Sequence, residues 1–376
     1  MKIFLVGGAV RDDLLNLPVT ERDWVVTGAT EQQMVDRGFL RIDARFPVFT
    51  HHESGEEYAL ARRETKTGPG YKGFEVYAGP DVTLEEDLVR RDLTINALAQ
   101  DAEGNIVDLF DGRADLDSGL LRHISPAFTE DPVRLLRIAR FAAKLGPWGF
   151  RIAHSTHELM CRMAASDDLM TINRDRLWRE MKRSLAEPQP WRFFEVLKRC
   201  GALDRLLPEL AVELGPGSGH QAGGEPPGLE ILKRATSASP DPAIRYAAVM
   251  AGVASAFGEV PGLPAERGFS GLLGRVVALD ADYNRGLDGD AEGVLNVLIG
   301  SRASRDGGQL DALLLIWGLR RPEAAERAAL LYEQARVVIG KIGSAALREA
   351  GLEGPALGEA IRRRQLAALR GVIAGS

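Results

Sequence analysis

Lys2-Ile3-Phe4-Leu5-Val6-Gly7-Gly8-Ala9-Val10-Arg11-Asp12 contains the first structural decision of this chain. Ile3 to Val6 reads as a short apolar strand that stops at Gly7-Gly8, and Ala9 to Leu15 reads as a helix. Glycines at such a junction let backbone N–H groups approach an anion, and the helix N-terminus adds a favourable partial charge. Arg11, on the first turn, stands within reach of a phosphate. The same turn also serves many proteins as a plain connection, so its meaning depends on what surrounds it.

Downstream, Glu21-Arg22-Asp23 opens a second strand, Trp24 to Thr27. Carboxylates at i and i+2 of an extended segment share one face about 7 Å apart, a spacing suited to divalent cations that bridge to phosphates. An exposed strand edge would carry the same triplet. Glu57 precedes the strand Tyr58 to Arg62 and is either a third metal-binding acid or a surface residue. A helix is expected over Glu31 to Arg37 and strands over Phe74 to Tyr77 and Ile106 to Leu109. The glycine-rich stretch 65–73 matches G-x-G-x-x-G. Pro69 lies inside it and no helix follows, so it reads as a turn and not as a dinucleotide site.

Two arginine-rich segments complete the pattern. In Arg90-Arg91-Asp92-Leu93-Thr94-Ile95-Asn96-Ala97 the spacing predicts a helix start carrying Arg91, Asp92 and Asn96, residues suited to triphosphate and ribose hydroxyls. Asp92 would serve equally as a first-turn acid on a helix dipole. In Glu130-Asp131-Pro132-Val133-Arg134, Pro132 suits the first helical position with Asp131 as cap. Arg134, Arg137 and Arg140 then form a stripe at i, i+3 and i+6. That stripe is either the outer face of an amphipathic helix, or a site where Asp131 and Arg134 meet a base edge and Arg137 and Arg140 hold phosphates.

Composition sets the limits. The 376 residues call for more than one core. With 45% apolar and 27% charged residues the chain is too apolar to be disordered. No apolar run reaches the ~18 residues of a membrane span, Met1-Lys2 leads into no signal-peptide pattern, and two cysteines build no disulfide framework; a cytoplasmic protein is expected. The formal charge of −6 argues against a polyanion partner, yet residues 132–206 hold fifteen Lys/Arg against eight Asp/Glu. Beyond Pro126 the apolar spacing turns to threes and fours, so the remainder reads as all-helical, with a linker at Gly215 to Gly228.

Taken in order, Gly7-Gly8-Ala9-Val10-Arg11-Asp12, acid-Arg22-Asp23, Arg90 to Ala97, and Glu130-Asp131-x-x-Arg134 with Arg137 and Arg140 resemble the bacterial class II tRNA CCA-adding nucleotidyltransferases of the polymerase-β superfamily. Asn173-Arg174-Asp175-Arg176-Leu177-Trp178-Arg179-Glu180 and Arg362-Arg363-Arg364 extend the likeness. It is close over the first 205 residues and looser beyond.

The resemblance implies an α+β chain: a mixed β-sheet nucleotidyltransferase head (1–125), a helical neck and body (126–214) and a helical tail (215–376). The activity implied is template-independent addition of C, C and A to the tRNA 3′ end from CTP and ATP, with two Mg²⁺ ions and the tRNA acceptor arm as partner. By position, Glu21 and Asp23 would hold the metals, and Gly8, Arg11, Arg91, Asp92, Asn96, Arg137 and Arg140 the nucleotide. Asp131 and Arg134 would select the base, and the segment near Gly68 to Gly73 would be the family's flexible loop.

Two departures stand out. Glu21 occupies a position where the family has Asp. Ala251-Gly252 and Glu230 fall where a metal-dependent phosphohydrolase (HD) domain needs its ligands, so that activity is expected to be absent. A poly(A) polymerase, a partial CC- or A-adding enzyme, and a catalytically weakened tRNA-binding homologue are the alternatives.

Overall fold

The computed structural model describes residues 1–43, 46–68, 73–215, 228–258, 260–303 and 307–375. The chain divides into two compact units, Met1–Leu206 and Leu207–Ser376.

The first unit opens with β1 (Lys2–Val6), α1 (Gly8–Leu14), β2 (Asp23–Thr27), α2 (Glu31–Asp36), β3 (Phe39–Arg41), β4 (Val48–His51) and β5 (Glu57–Leu60). It continues through β6 (Arg62–Lys66), β7 (Phe74–Ala78), α3 (Leu84–Leu88), β8 (Leu98–Gln100), β9 (Ile106–Asp108), α4 (Gly112–Asp117) and β10 (Leu120–Leu121). Seven strands make one mixed sheet in the order β3-β4-β5-β2-β1-β8-β9; β2 and β5 run parallel, the other neighbours antiparallel. Successive residues of β2 point to opposite faces. Val25 therefore packs with Phe4, Val6 and Leu88, while Val26 packs with Met34, Phe49 and Leu60. Burial on both faces explains why Trp24 to Thr27 is apolar without alternation. Thr30 and Gln33 start α2 with a reciprocal capping box, and Thr83 and Glu86 do the same for α3.

Two local expectations change. Tyr58 to Arg62 is not one strand. The Ala61 N–H makes the last bond to β2, at the Val26 carbonyl (2.8 Å), and Arg62 onward pairs with β7 in a separate hairpin. The glycine-rich stretch closes that hairpin, the Thr67 N–H donating to the Gly73 carbonyl (2.7 Å); residues 69–72 lie outside the described ones. Arg90 to Ala97 is not a helix start. It follows the end of α3, runs extended at Leu93, and forms one 3₁₀ turn at Thr94–Asn96. All residues from Asp92 to Ala97 are buried; Leu93 bridges to His123, and the Thr94 N–H donates to the Arg122 carbonyl (3.0 Å), so the backbone is held by a distant segment instead of by helical bonds.

The rest of the unit is α5 (Val133–Leu145), β11 (Arg151–Ile152), α6 (His154–Ala165), α7 (Arg174–Ala186), α8 (Trp191–Arg199) and α9 (Ala202–Leu206). The all-helical expectation therefore needs one correction: β11 pairs in parallel with β10. Asp131 caps the start of α5 by accepting the Val133 N–H (3.1 Å). Leu135, Leu136, Ile138, Ala142 and Leu145 are buried on its core side, each leucine contributing roughly 1.5–3 kcal/mol.

The second unit is helical among the described residues: α10 (Pro208–Glu213), α11 (Gly228–Ala238), α12 (Pro242–Phe257), α13 (Arg267–Ala278), α14 (Asp280–Leu287), α15 (Ala291–Gly300), α16 (Gly307–Arg320), α17 (Ala325–Gly340), α18 (Ala345–Glu349) and α19 (Gly354–Ala374). Its core includes Tyr283 stacked on Trp317 (4.4 Å) and on Tyr332 (5.9 Å). Of the expected linker, residues 216–227 lie outside the described ones.

Candidate active site

The strand-to-helix junction works because of one residue. Gly7 sits at φ +71°, a conformation that glycine adopts freely, and its N–H donates to the Leu98 carbonyl (3.1 Å). Gly8 has no such constraint, so the turn depends on the first glycine. From here α1 projects Arg11 into a cavity of about 870 Å³ in the first unit.

That cavity gathers all eleven residues singled out by the resemblance: Gly8, Arg11, Glu21, Asp23, Arg91, Asp92, Asn96, Asp131, Arg134, Arg137 and Arg140. Ten Lys/Arg and seven Asp/Glu line it, making it cationic within an acidic chain. A polyanion bound beside a few carboxylates fits that balance.

Glu21 lies just before β2 and Asp23 is its first residue, and both reach the same cavity. Burial raises the pKa of the Asp23 carboxyl above its ordinary value; Arg91 works against the rise and Glu21 adds to it. The parallel register of β2 and β5 sets Glu57 opposite Asp23, and Glu57 also lines the cavity. Even so, no three His, Cys, Asp or Glu side chains converge as a ligand set among the described residues. Of the two readings of Glu57, the strand register places it beside Asp23 on the cavity wall, without a three-residue ligand set among the described residues.

A continuous polar network connects the cationic wall. Lys144 donates to Asp12 (2.8 Å), Arg11 to Asp12 (2.8 Å) and to Asn96, Asn96 to Asp92 (3.0 Å), and Arg137 to Asp92 (2.7 Å). Burial acts to raise the Asp92 pKa, but Arg137, the Asn96 amide and Arg134 outweigh it and hold the carboxyl below the usual range. Asp87, fully buried, pairs with Arg90 (2.7 Å) and Arg91 (3.4 Å). Arg91 keeps a buried Nε without a partner. The guanidinium groups of Arg140, Arg11 and Arg137 surround the Phe141 ring at 4.6, 5.2 and 5.9 Å, favourable for cation–π contact.

The base-reading candidates are held from behind. Arg176 grips Asp131 through its two terminal guanidinium nitrogens (2.7 and 3.1 Å), and Arg134 donates to the carbonyls of Arg90 (2.7 Å) and Ala127 (3.1 Å). Arg140 pairs with Glu180 (2.8 Å). The stripe on α5 thus faces a cavity rather than bulk solvent. Arg176 and Glu180, four apart on α7, were not singled out as site residues; their i, i+4 spacing beside the α5 stripe was the available signal.

Among the described residues no helix is long and apolar enough to cross a membrane. The family model "Poly A polymerase head domain" matches residues 3–122, and "Probable RNA and SrmB-binding site of polymerase A" matches residues 149–214. The CCA-adding enzyme of Pseudomonas putida (strain W619) is 42% identical over 374 residues, 98% of this chain and 98% of that one. The Multifunctional CCA protein of Thioalkalivibrio sulfidiphilus is 55% identical over 253 residues, 66% of this chain and 62% of that one. The Thermotoga maritima CCA-adding enzyme complexed with tRNA shares the fold at a TM-score of 0.67 and 19% identity, covering 100% of this chain and 91% of that one. With the cavity and the full-length match in hand, this chain belongs to the bacterial CCA-adding enzymes, built on the poly(A) polymerase head.

Proposed function

We propose that this protein adds C, C and A to the 3′ end of tRNA from CTP and ATP, releasing pyrophosphate, and that the cavity of the first unit is where it does so. The observation that carries the reading is the convergence of Glu21 and Asp23 with ten cationic side chains and the Asp131–Arg134 pair in one cavity.

A carboxylate pair fits Mg²⁺, which commonly takes one or two protein oxygens and completes its shell with phosphates and water. Glu21 and Asp23 are the residues that would hold it. Bound there, the ions lower the pKa of the ribose 3′-hydroxyl and stabilise the leaving pyrophosphate. The chain supplies the positioning. The glycine turn with Gly8, Arg11, Arg91, Arg137 and Arg140 holds the phosphates, and Asp92 and Asn96 face the ribose.

Asp131 and Arg134 choose the base. Cytosine and adenine each present an amine donor beside a ring-nitrogen acceptor, whereas uracil and guanine present the reverse. An acceptor next to a donor therefore accepts C and A and rejects U and G. Arg176 and the Val133 N–H occupy three of the roughly four lone-pair directions of Asp131, leaving it oriented with one acceptor site over.

Two finer readings accompany this one. Glu21 supplies its charge one methylene further out than the family's Asp, a displacement that lowers the rate unless its rotamer compensates. Phosphohydrolase chemistry is absent from the second unit. In support, Ala251 and Gly252 line a cavity of about 290 Å³ that also holds Glu213 and Arg320, an ion pair at 3.5 Å. A Cβ at Gly252 would come within 2.2 Å of the Glu213 carboxylate, so any larger side chain there displaces it.

The test supplies tRNA lacking its CCA end with each nucleotide singly and then together, products being resolved on a sequencing gel. Two additions with CTP alone and three with both nucleotides are expected, with no phosphate released from a phosphomonoester. A long A tail, a stop after CC, or tRNA binding without turnover would each replace the reading. Gly7→Ala provides a second check: its Cβ would lie 3.0 Å from Arg91 Nη1 at a backbone angle alanine avoids. An increase of about tenfold in the KM for CTP is expected in steady-state assays, corresponding to roughly 1–2 kcal/mol of strain.

A further inference from the structure

The first unit contains another cavity, of about 530 Å³, that the mechanism leaves unused; all of its lining except Leu120 falls within the residues matched by the RNA-binding family model. It lies between the β10–β11 pair, the start of α6 and one face of α8, and shares no residue with the nucleotide cavity. Arg151, His154, His157, Arg192 and Arg199 surround an apolar floor that includes Val196, and no Asp or Glu lines it. The nearby carboxylates sit outside the lining: Glu158 beside His154 (3.2 Å), and Glu195 along α8. Arg192 is anchored by donating to the Phe150 carbonyl (2.8 Å). Arg151 and Arg199 are exposed and make no ion pair or side-chain hydrogen bond among the described residues.

Three guanidinium groups around one cavity with no acid in its wall repel one another until an anion arrives. Arginine presents its donors as a planar fork matched to phosphate oxygens, and exposed arginines on two separate elements suit a row of phosphates better than one small ion. We infer that this cavity seats the phosphodiester backbone of the RNA substrate, a phosphate grip separate from the nucleotide site. It takes tRNA as that RNA from the reading above, but its test is a binding measurement that needs no nucleotide addition.

The double variant Arg151→Gln/Arg199→Gln is compared with the full-length protein by fluorescence anisotropy of labelled tRNA over a range of KCl concentrations. Two lost phosphate contacts reduce the slope of log Kd against log salt by about two and weaken binding on the order of fiftyfold at about 0.1 M salt. Arg151→Lys/Arg199→Lys restores most of the slope, and CTP incorporation at saturating tRNA stays at the parental rate. An unchanged slope and Kd overturn the inference, even if the variant loses binding to some protein. Equilibrium dialysis with CTP alone separates the other source of phosphate. Two nucleotides bound per parental chain and one per variant would assign the cavity to free nucleotide and overturn the RNA assignment. Failure of the lysine variant together with a lowered Tm would mark the arginines as structural, with the same consequence.

Discussion

Asp23→Ala abolishes incorporation of labelled CTP and ATP into tRNA lacking its CCA end, with kcat falling by about 10³-fold or more while tRNA affinity holds. Asp23 heads β2 between Val6 of β1 and Glu57 of β5, so its backbone is fixed from both sides. The side chain can be removed without moving the sheet. Its carboxylate is half of the pair that would hold the divalent ions, whose charge stabilisation amounts to several kcal/mol of the barrier. Glu21→Asp is the companion variant. It shortens the other acid by one methylene and is expected to leave the rate unchanged or raise it; a large loss would show that the site is built around the longer side chain. A parental rate in Asp23→Ala removes the metal-site assignment altogether.

Asp92→Ala produces the largest loss of stability at any single site residue, about 2–3 kcal/mol by denaturant unfolding of the full chain. The 6% exposed carboxylate of Asp92 accepts from the Asn96 amide and from Arg137, and Asn96 in turn orders Arg11. Deleting one member of a buried ion pair typically costs 3–5 kcal/mol; the Arg137 side chain is 36% exposed, and solvent screening reduces the loss. The same pair predicts a pH dependence. The folded carboxyl titrates below its ordinary 3.8, so the stabilisation is complete above about pH 4 and is lost as pH falls through the lower folded value. Asp92→Asn lacks that titration, so the Tm gap between it and the parent narrows on acidification below about pH 4. A gap that stays constant or widens there would show that Asp92 is not charged in the folded protein.

Several features could be read from neighbouring residues alone. Gly7-Gly8 between an apolar run and a helical pattern needs no distant partner to be a turn, because positive φ is a property of glycine itself. Glu21 and Asp23 share a face because an extended chain repeats every two residues. The α5 stripe follows from a three-residue step on a helix, and Asp131-Pro132 marks its start. Where local spacing misled, tertiary burial was responsible. Leu93 and Thr94 are tied to His123 and Arg122, so Arg90 to Ala97 abandons the helix its spacing suggested. Ala61 ends one sheet and Arg62 begins another, a break that depends on which strand arrives alongside.

What the sequence by itself determined, then, is the set of chemical groups and the local shape of each segment that bears them: the glycine turn, the paired acids, and the arginine-bearing helix. Only the tertiary structure decided who holds whom. Arg176 reaches Asp131 across 45 residues, Lys144 reaches Asp12 across 132, and Glu57 meets Asp23 by strand register. The physical reason is range. Backbone preference and periodicity act over a few residues and are written into the order of the chain, whereas ion pairs between distant segments exist only once the buried apolar faces have brought those segments together.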